Sequence, residues 1–242
     1  MKISERSNYR PRLSLGLKRY LLALNRDIDG VKSDIKFNRE YGFYYNHSLL
    51  VASNHLSPLE VTVLYMEDRR FFLHRGIELR SLLRGFRRML SRGRFGGIST
   101  IDQQVVRIST GRNQRTIGRK VRELSLAFFL NFHCTKSELL NYYIHHAYLG
   151  YRIEGVEEAA KKLFGIQAAQ LNWKQSAFIA SLFPLPFPKA VWNAYSVHPS
   201  YPNSDPSFIM NIAKAESQRW ADRVAYRMNL ANSGQDFKPR SL

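Results

Sequence analysis

The strongest constraint on this chain is a helical recurrence of apolar residues, broken by glycine and proline clusters and poor in alternating strand pattern. In residues 77–92, Leu79, Leu82, Leu83, Phe86 and Leu90 recur at threes and fours, while Arg80, Arg84, Arg87 and Arg88 occupy another stripe. Helices are also predicted over 117–132, 136–149, 155–165, 171–183 and 209–230, and a short surface helix within 12–25. Gly93, Gly96 and Gly97 loosen the backbone, and residues 109–116 form a polar, basic loop. Pro184, Pro186 and Pro188 stop regular structure, and Pro199, Pro202 and Pro206 mark 193–208 as loop. These patterns predict a mainly α fold without internal repeats.

With 242 residues, 44% of them apolar, the chain is long enough for one sizeable domain or two lobes around one cleft. Its formal charge of +18 predicts attraction to a polyanion or an anionic membrane surface and says nothing about fold. A basic nucleic-acid-binding protein would carry such a charge, but no nucleic-acid motif is present. The single cysteine, Cys134, cannot form an intramolecular disulfide and reads as an unreactive thiol. No run of 18 apolar residues predicts a transmembrane helix. The stretch Tyr20-Leu21-Leu22-Ala23-Leu24 is too short for a secretory core.

Three segments concentrate chemistry. Glu67 opens Glu67-Asp68-Arg69-Arg70-Phe71-Phe72-Leu73-His74-Arg75-Gly76; on a continuous helix Glu67, Phe71 and His74 would share a face. Next comes Gly97-Ile98-Ser99-Thr100-Ile101-Asp102-Gln103-Gln104, and then Arg119-Lys120-Val121-Arg122-Glu123. A carboxylate can remove a proton from an attacking hydroxyl, and clustered Arg and Lys can hold a leaving pyrophosphate. Taken singly, each group has a plainer role: Glu67 as a surface ion-pair residue, Arg119 and Glu123 as a helix pair worth about 0.3–0.5 kcal/mol, and Ser99-Thr100 as a cap.

In this order the segments resemble the peptidoglycan glycosyltransferases, the polymerase module of bifunctional penicillin-binding proteins and of monofunctional transglycosylases. The first fits E-D-x-x-F-x-x-H-x-G throughout; the second fits G-x-S-T-I-T-Q-Q except at Asp102; the third fits R-K-x-x-E. A fourth, Lys136-Ser137-Glu138-Leu139-Leu140-Asn141-Tyr142-Tyr143-Ile144-His145, resembles K-x-E-I-L-E-x-Y-L-N, departing at Asn141 and His145. The likeness covers roughly residues 50–230.

The resemblance implies a lysozyme-like fold, two helical lobes around a substrate cleft. It divides the chain into a basic N-terminal extension (1–45), a glycosyltransferase domain (46–231) and a disordered tail (232–242). It implies polymerisation of lipid II, with undecaprenyl-pyrophosphate-linked glycan as donor, inversion at the sugar, Glu67 as general base and Glu123 as a second essential carboxylate. Substrate contacts fall to His74, Ser99, Thr100, Gln103, Gln104, Arg107, Arg115, Arg119 and Lys120. No cofactor is required by it; a divalent cation, Mg or Mn, at the pyrophosphate is compatible with it. It also implies work at the extracytoplasmic face of the cell membrane, beside an anionic membrane surface and other cell-wall synthesis proteins. Asp102 sets a carboxylate among groups expected to meet anions: facing the substrate it would repel it, facing solvent it would be harmless. A non-catalytic relative that binds lipid-linked glycan or scaffolds wall assembly is the alternative reading. Adjacent His145 and His146 do not share a helix face, so they read as structural.

Overall fold

The computed structural model describes residues 15–41, 56–80, 83, 99–112, 114 and 116–239. Among them the chain is mainly α, as expected, and no helix is long and apolar enough to cross a membrane. The basic-apolar helix predicted over 77–92 lies outside the described residues except for 77–80 and 83; there Leu79 and Leu83 are exposed.

The first helix, α1 (Leu15–Tyr41), is far longer than the short surface helix expected. Leu24, Ile28, Val31 and Ile35 form its buried stripe at helical spacing. That stripe packs on α3 (Ile101–Thr110), α4 (Ile117–Leu130) and α5 (Lys136–His146). Asp27 of α1 accepts hydrogen bonds from Arg112 and, at 2.7 Å, from Arg122 Nε. The region expected to be an extension therefore covers one flank of the core.

A second group of helices surrounds α2 (Pro58–Glu67). After α5 come a two-stranded antiparallel ribbon, β1 (Tyr148–Gly150) with β2 (Ile153–Glu154), and then α6 (Gly155–Phe164). The helix expected over 136–149 stops at 146, because Ala147 turns extended and leads into β1. Next are α7 (Trp173–Leu182), α8 (Lys189–Ser196), α9 (Pro206–Glu216) and α10 (Gln218–Asn232). The single last helix predicted over 209–230 is two, divided at Ser217 with φ −159° and ψ 67°. Its start is earlier because Asp205 caps it and Pro206 occupies its first turn. α7 is central: it packs on α2 and α10, while α9 joins α8 to α10. Beyond α10, the stretch expected to be disordered turns back, and the Phe237 ring lies 5.4 Å from that of Tyr65 on α2.

Caps set the helix starts. Ser57 and Glu60 form a capping box at α2, with Pro58 in its first turn. Thr100 caps α3, Thr116 caps α4, and Thr135 with Glu138 boxes α5. The continuous helix that would align Glu67, Phe71 and His74 does not form. α2 ends at Glu67, Asp68 leaves helical geometry at φ −156°, ψ 79°, and only a short 3-10 turn, Phe71–Leu73, follows. Asp68 is drawn away because its Oδ2 accepts from the Ile101 backbone N–H of α3 at 3.2 Å.

Candidate active site

Glu67 is the terminal residue of α2, with its side chain 13% exposed. Its Oε1 accepts a 2.6 Å hydrogen bond from Arg227 Nη2 on α10. Burial raises the Glu67 pKa, against the opposing pull of the Arg227 charge and a hydrogen bond from Gln104. Gln104 is itself oriented, because its Oε1 accepts from the Tyr143 hydroxyl at 3.0 Å. Its amide N–H groups are thereby left for the Glu67 carboxylate.

One turn further along α3, Arg107 reaches Glu123 on α4, with Nη2 3.1 Å from Oε1 and Nε 3.3 Å from Oε2. Lys120 Nζ lies 2.6 Å from the same Oε1, and Arg119 Nη1 bonds Oε2. Ser99 Oγ accepts from Lys120 at 3.1 Å and from Arg107 at 3.4 Å, and Gln103 Oε1 accepts from Lys120 at 2.7 Å. Gln104 and Arg107 are i, i+3 neighbours, so one face of α3 serves both glutamates.

The cluster is short of negative charge. Burial pushes the Glu123 pKa upward, but hydrogen bonds and charges from Arg107 and Lys120 outweigh it and hold the carboxyl below its ordinary value. The Lys120 pKa is also lowered, by burial first and then by Arg107 and Arg119, although Glu123 opposes this. In an isolated ion pair each partner would stabilise the other's charged form. The two downward shifts are consistent for one carboxylate shared among three cations. Arg119 and Lys120 also stand in the first turn of α4, where the helix dipole adds positive potential. The arrangement suits a further anion, such as a phosphate.

Other predicted positions have structural duties. Thr100 donates to the Gly76 carbonyl at 2.8 Å, and Gln103 Nε2 donates to the same oxygen at 3.1 Å. Gly76 requires the absence of a side chain: its φ is +77° and a Cβ would stand 2.2 Å from the Ala127 carbonyl oxygen. His74 is buried, with Nε2 3.0 Å from Asp68 Oδ2, so it meets carboxylates rather than the basic cluster. Arg115 lies outside the described residues. Asp102 faces neither the basic cluster nor solvent. It is fully buried, and its Oδ1 accepts from Lys136 Nζ and Asn131 Nδ2, each at 2.8 Å. His145 agrees with its structural reading: burial pushes its pKa down to about 4, so it is neutral at pH 7.

Two places offer carboxylates to a divalent cation. At the basic cluster both oxygens of Glu123 already engage cationic donors. A hard cation seeking oxygen ligands does not fit there unless a side chain moves. Asp68, His74 and Asp102 bring ligand atoms within 4.8 Å of one another, a spacing compatible with a metal. There the Lys136 ammonium, 2.8 Å from Asp102, already supplies positive charge.

The sequence reading missed Arg227, which occupies one stripe of α10 with the exposed Arg219 and Arg223. Only the fold distinguishes the one that meets Glu67. It also missed Asp68 as the residue that pins the chain after Glu67, and Tyr143 as the group that orients Gln104.

A model of the transglycosylase family matches residues 37–199. Penicillin-binding protein 2a of Streptococcus pneumoniae is 35% identical over 128 residues, 53% of this chain and 17% of that protein. Penicillin-binding protein 1A of the same species is 30% identical over 176 residues, 72% of this chain and 24% of that protein. A monofunctional glycosyltransferase of Staphylococcus saprophyticus is 29% identical over 191 residues, 76% of this chain and 66% of that protein. The chain thus spans a minor part of the two penicillin-binding proteins and about two thirds of the monofunctional relative.

Proposed function

The chain belongs to the transglycosylase family, and on that premise we propose that it is a peptidoglycan glycosyltransferase polymerising lipid II into glycan strands. The observation that carries this reading is the basic cluster of Arg107, Arg119 and Lys120 around Glu123, set on the same face of α3 that reaches Glu67 through Gln104. The acceptor's sugar hydroxyl attacks the anomeric carbon of the lipid-linked donor. Glu67 takes the hydroxyl proton; burial strengthens it as a base, while Arg227 favours its ionised form. The C–O bond to the lipid pyrophosphate breaks with inversion, and the departing negative charge meets the three cations. Glu123 holds those cations in place while leaving them in net excess. Ser99 and Gln103 fix the Lys120 ammonium.

The reading includes peripheral docking at an anionic membrane, where the lipid-linked substrates reside. Ile117, Val121 and Phe128 are exposed along one face of α4, with Phe132 exposed beyond its end. An apolar surface on a protein of charge +18 suits a bilayer bearing anionic headgroups. Work outside the cytoplasmic membrane and contact with other wall-synthesis proteins belong to the same reading.

The test is polymerisation of purified lipid II by the wild-type chain and by Glu67→Gln. Wild-type protein is expected to build glycan, and the variant to remain folded and lose turnover. A folded wild type that binds lipid II without polymerising it would replace the enzyme with a binding or scaffolding homologue.

A further inference from the structure

The buried Asp68, His74 and Asp102, with the half-buried Lys136, lie beside the proposed chemistry without belonging to it. Asp68 follows Glu67 directly, and its carboxylate takes the Ile101 N–H and His74 Nε2. On the opposite edge of the imidazole, Nδ1 faces Asp102 Oδ2 at 3.8 Å, beyond hydrogen-bond reach, and among the described residues neither atom has a hydrogen-bond partner. The other oxygen of Asp102 is fixed by Asn131, just past the end of α4, and by Lys136, the first residue of α5. Lys136 also sits 4.3 Å from the centre of the Phe71 ring. A continuous line of contacts therefore runs from the α4–α5 junction through Asp102, His74 and Asp68 to the residue adjoining Glu67.

We propose that Asp102 is a positioning residue for glycosyl transfer, holding His74 from the side opposite Asp68 and so fixing where α2 ends and Glu67 points. The proposal rests on the reading of Glu67 as the base. A carboxylate in this setting is costly to bury, and it is retained here with a matched ammonium and an amide. It departs from the Thr of the motif at this position. The residues after Glu67 have left the α-helix and keep only the short 3-10 turn Phe71–Leu73. They are hydrogen-bonded to the start of α3 through Asp68 and Gly76, and His74 adds its 3.8 Å approach to Asp102. Loss of the Asp102 contact frees one edge of His74, whose other edge meets Asp68, the residue after Glu67. Small displacements of a reacting group cost large factors in rate.

The experiment compares full-length wild type, Asp102→Asn and the charge-neutral pair Asp102→Asn/Lys136→Met, with Glu67→Gln as control. Asp102→Asn alone leaves the Lys136 ammonium without its counter-charge and can fail to fold; the pair removes both charges. In the folded double variant, kcat for lipid II polymerisation is expected to fall roughly tenfold or more with KM within about twofold. The His74 ring signals in nitrogen NMR are expected to shift in the double variant. A folded double variant with wild-type kcat, or with unchanged His74 signals, overturns the proposal. Stoichiometric Mn or Zn binding to wild type, lost in Asp102→Asn/Lys136→Met, would reassign the cluster as a metal site. Glu67→Gln with wild-type turnover would instead remove the reading of the base, a result distinct from either.

Discussion

Arg227→Met tests the electrostatics of the proposed base most directly. The Arg227–Glu67 hydrogen bond is 2.6 Å long, and the two side chains are 19% and 13% exposed, so the contact is closer to a buried than to a surface pair. A hydrogen bond to a charged group contributes about 1.5–3 kcal/mol. At 1.36 kcal/mol per factor of ten, its removal shifts the Glu67 protonation balance by about one to two orders of magnitude toward the acid. The sign is fixed by the environment. Burial already raises the Glu67 pKa, so the basic form is lost as pH falls through that raised value. Without Arg227 the loss begins at higher pH. The assay is the pH dependence of kcat for lipid II polymerisation in buffers from acidic to alkaline, with Arg223→Met as an exposed control carrying the same charge change. The acid limb of Arg227→Met is expected to move upward, with turnover recovering toward wild type in alkaline buffer; the control limb stays in place. A uniform drop in kcat with an unmoved limb would refute the reasoning.

Lys120→Met should weaken binding of inorganic pyrophosphate by roughly tenfold or more, since charged hydrogen bonds contribute about 1.5–3 kcal/mol each; titration calorimetry reads it, and unchanged affinity would place the anion elsewhere. Gly76→Ala should cost about 1–3 kcal/mol or more in backbone strain and lower the melting temperature by roughly 2–4 °C per kcal/mol, because a Cβ meets the Ala127 carbonyl oxygen at 2.2 Å. Anionic vesicles should co-sediment the protein at low salt and release it at high salt, while neutral vesicles bind less. Equal partitioning to both would exclude the electrostatic component.

Local signals account for much of the candidate site. Apolar spacing predicted the helix over 117–132 that carries Glu123, while the helix that carries Gln103, Gln104 and Arg107 was signalled only by the Ser99-Thr100 cap. The motif order identified the basic cluster, and Arg107, Arg119 and Lys120 do converge on Glu123. The failures have one physical origin. The helix expected to continue past Glu67 ends because Asp68 is claimed by Ile101, 33 residues away. The motif leaves Asp102 facing substrate or solvent, yet it turns to Asn131 and Lys136 on other elements. Arg227 looks like its neighbours on the α10 surface until α10 packs beside α2. Periodicity reports which face of an element is buried; it does not report which distant group a buried polar side chain will find.

The family model matches residues 37–199, and the likeness to the monofunctional relative runs longer, over 191 residues. Asp27, which restrains Arg112 and Arg122, precedes that span, and Arg227, which holds Glu67, follows it. Excision of the recognisable stretch would strip α1 from the flank of α4 and leave the proposed base without its guanidinium. The stretch that the family model matches is therefore smaller than the set of contacts that holds the candidate site. For grafting this domain or trimming it for expression, the boundaries to respect are those of the contacts around Asp27 and Arg227.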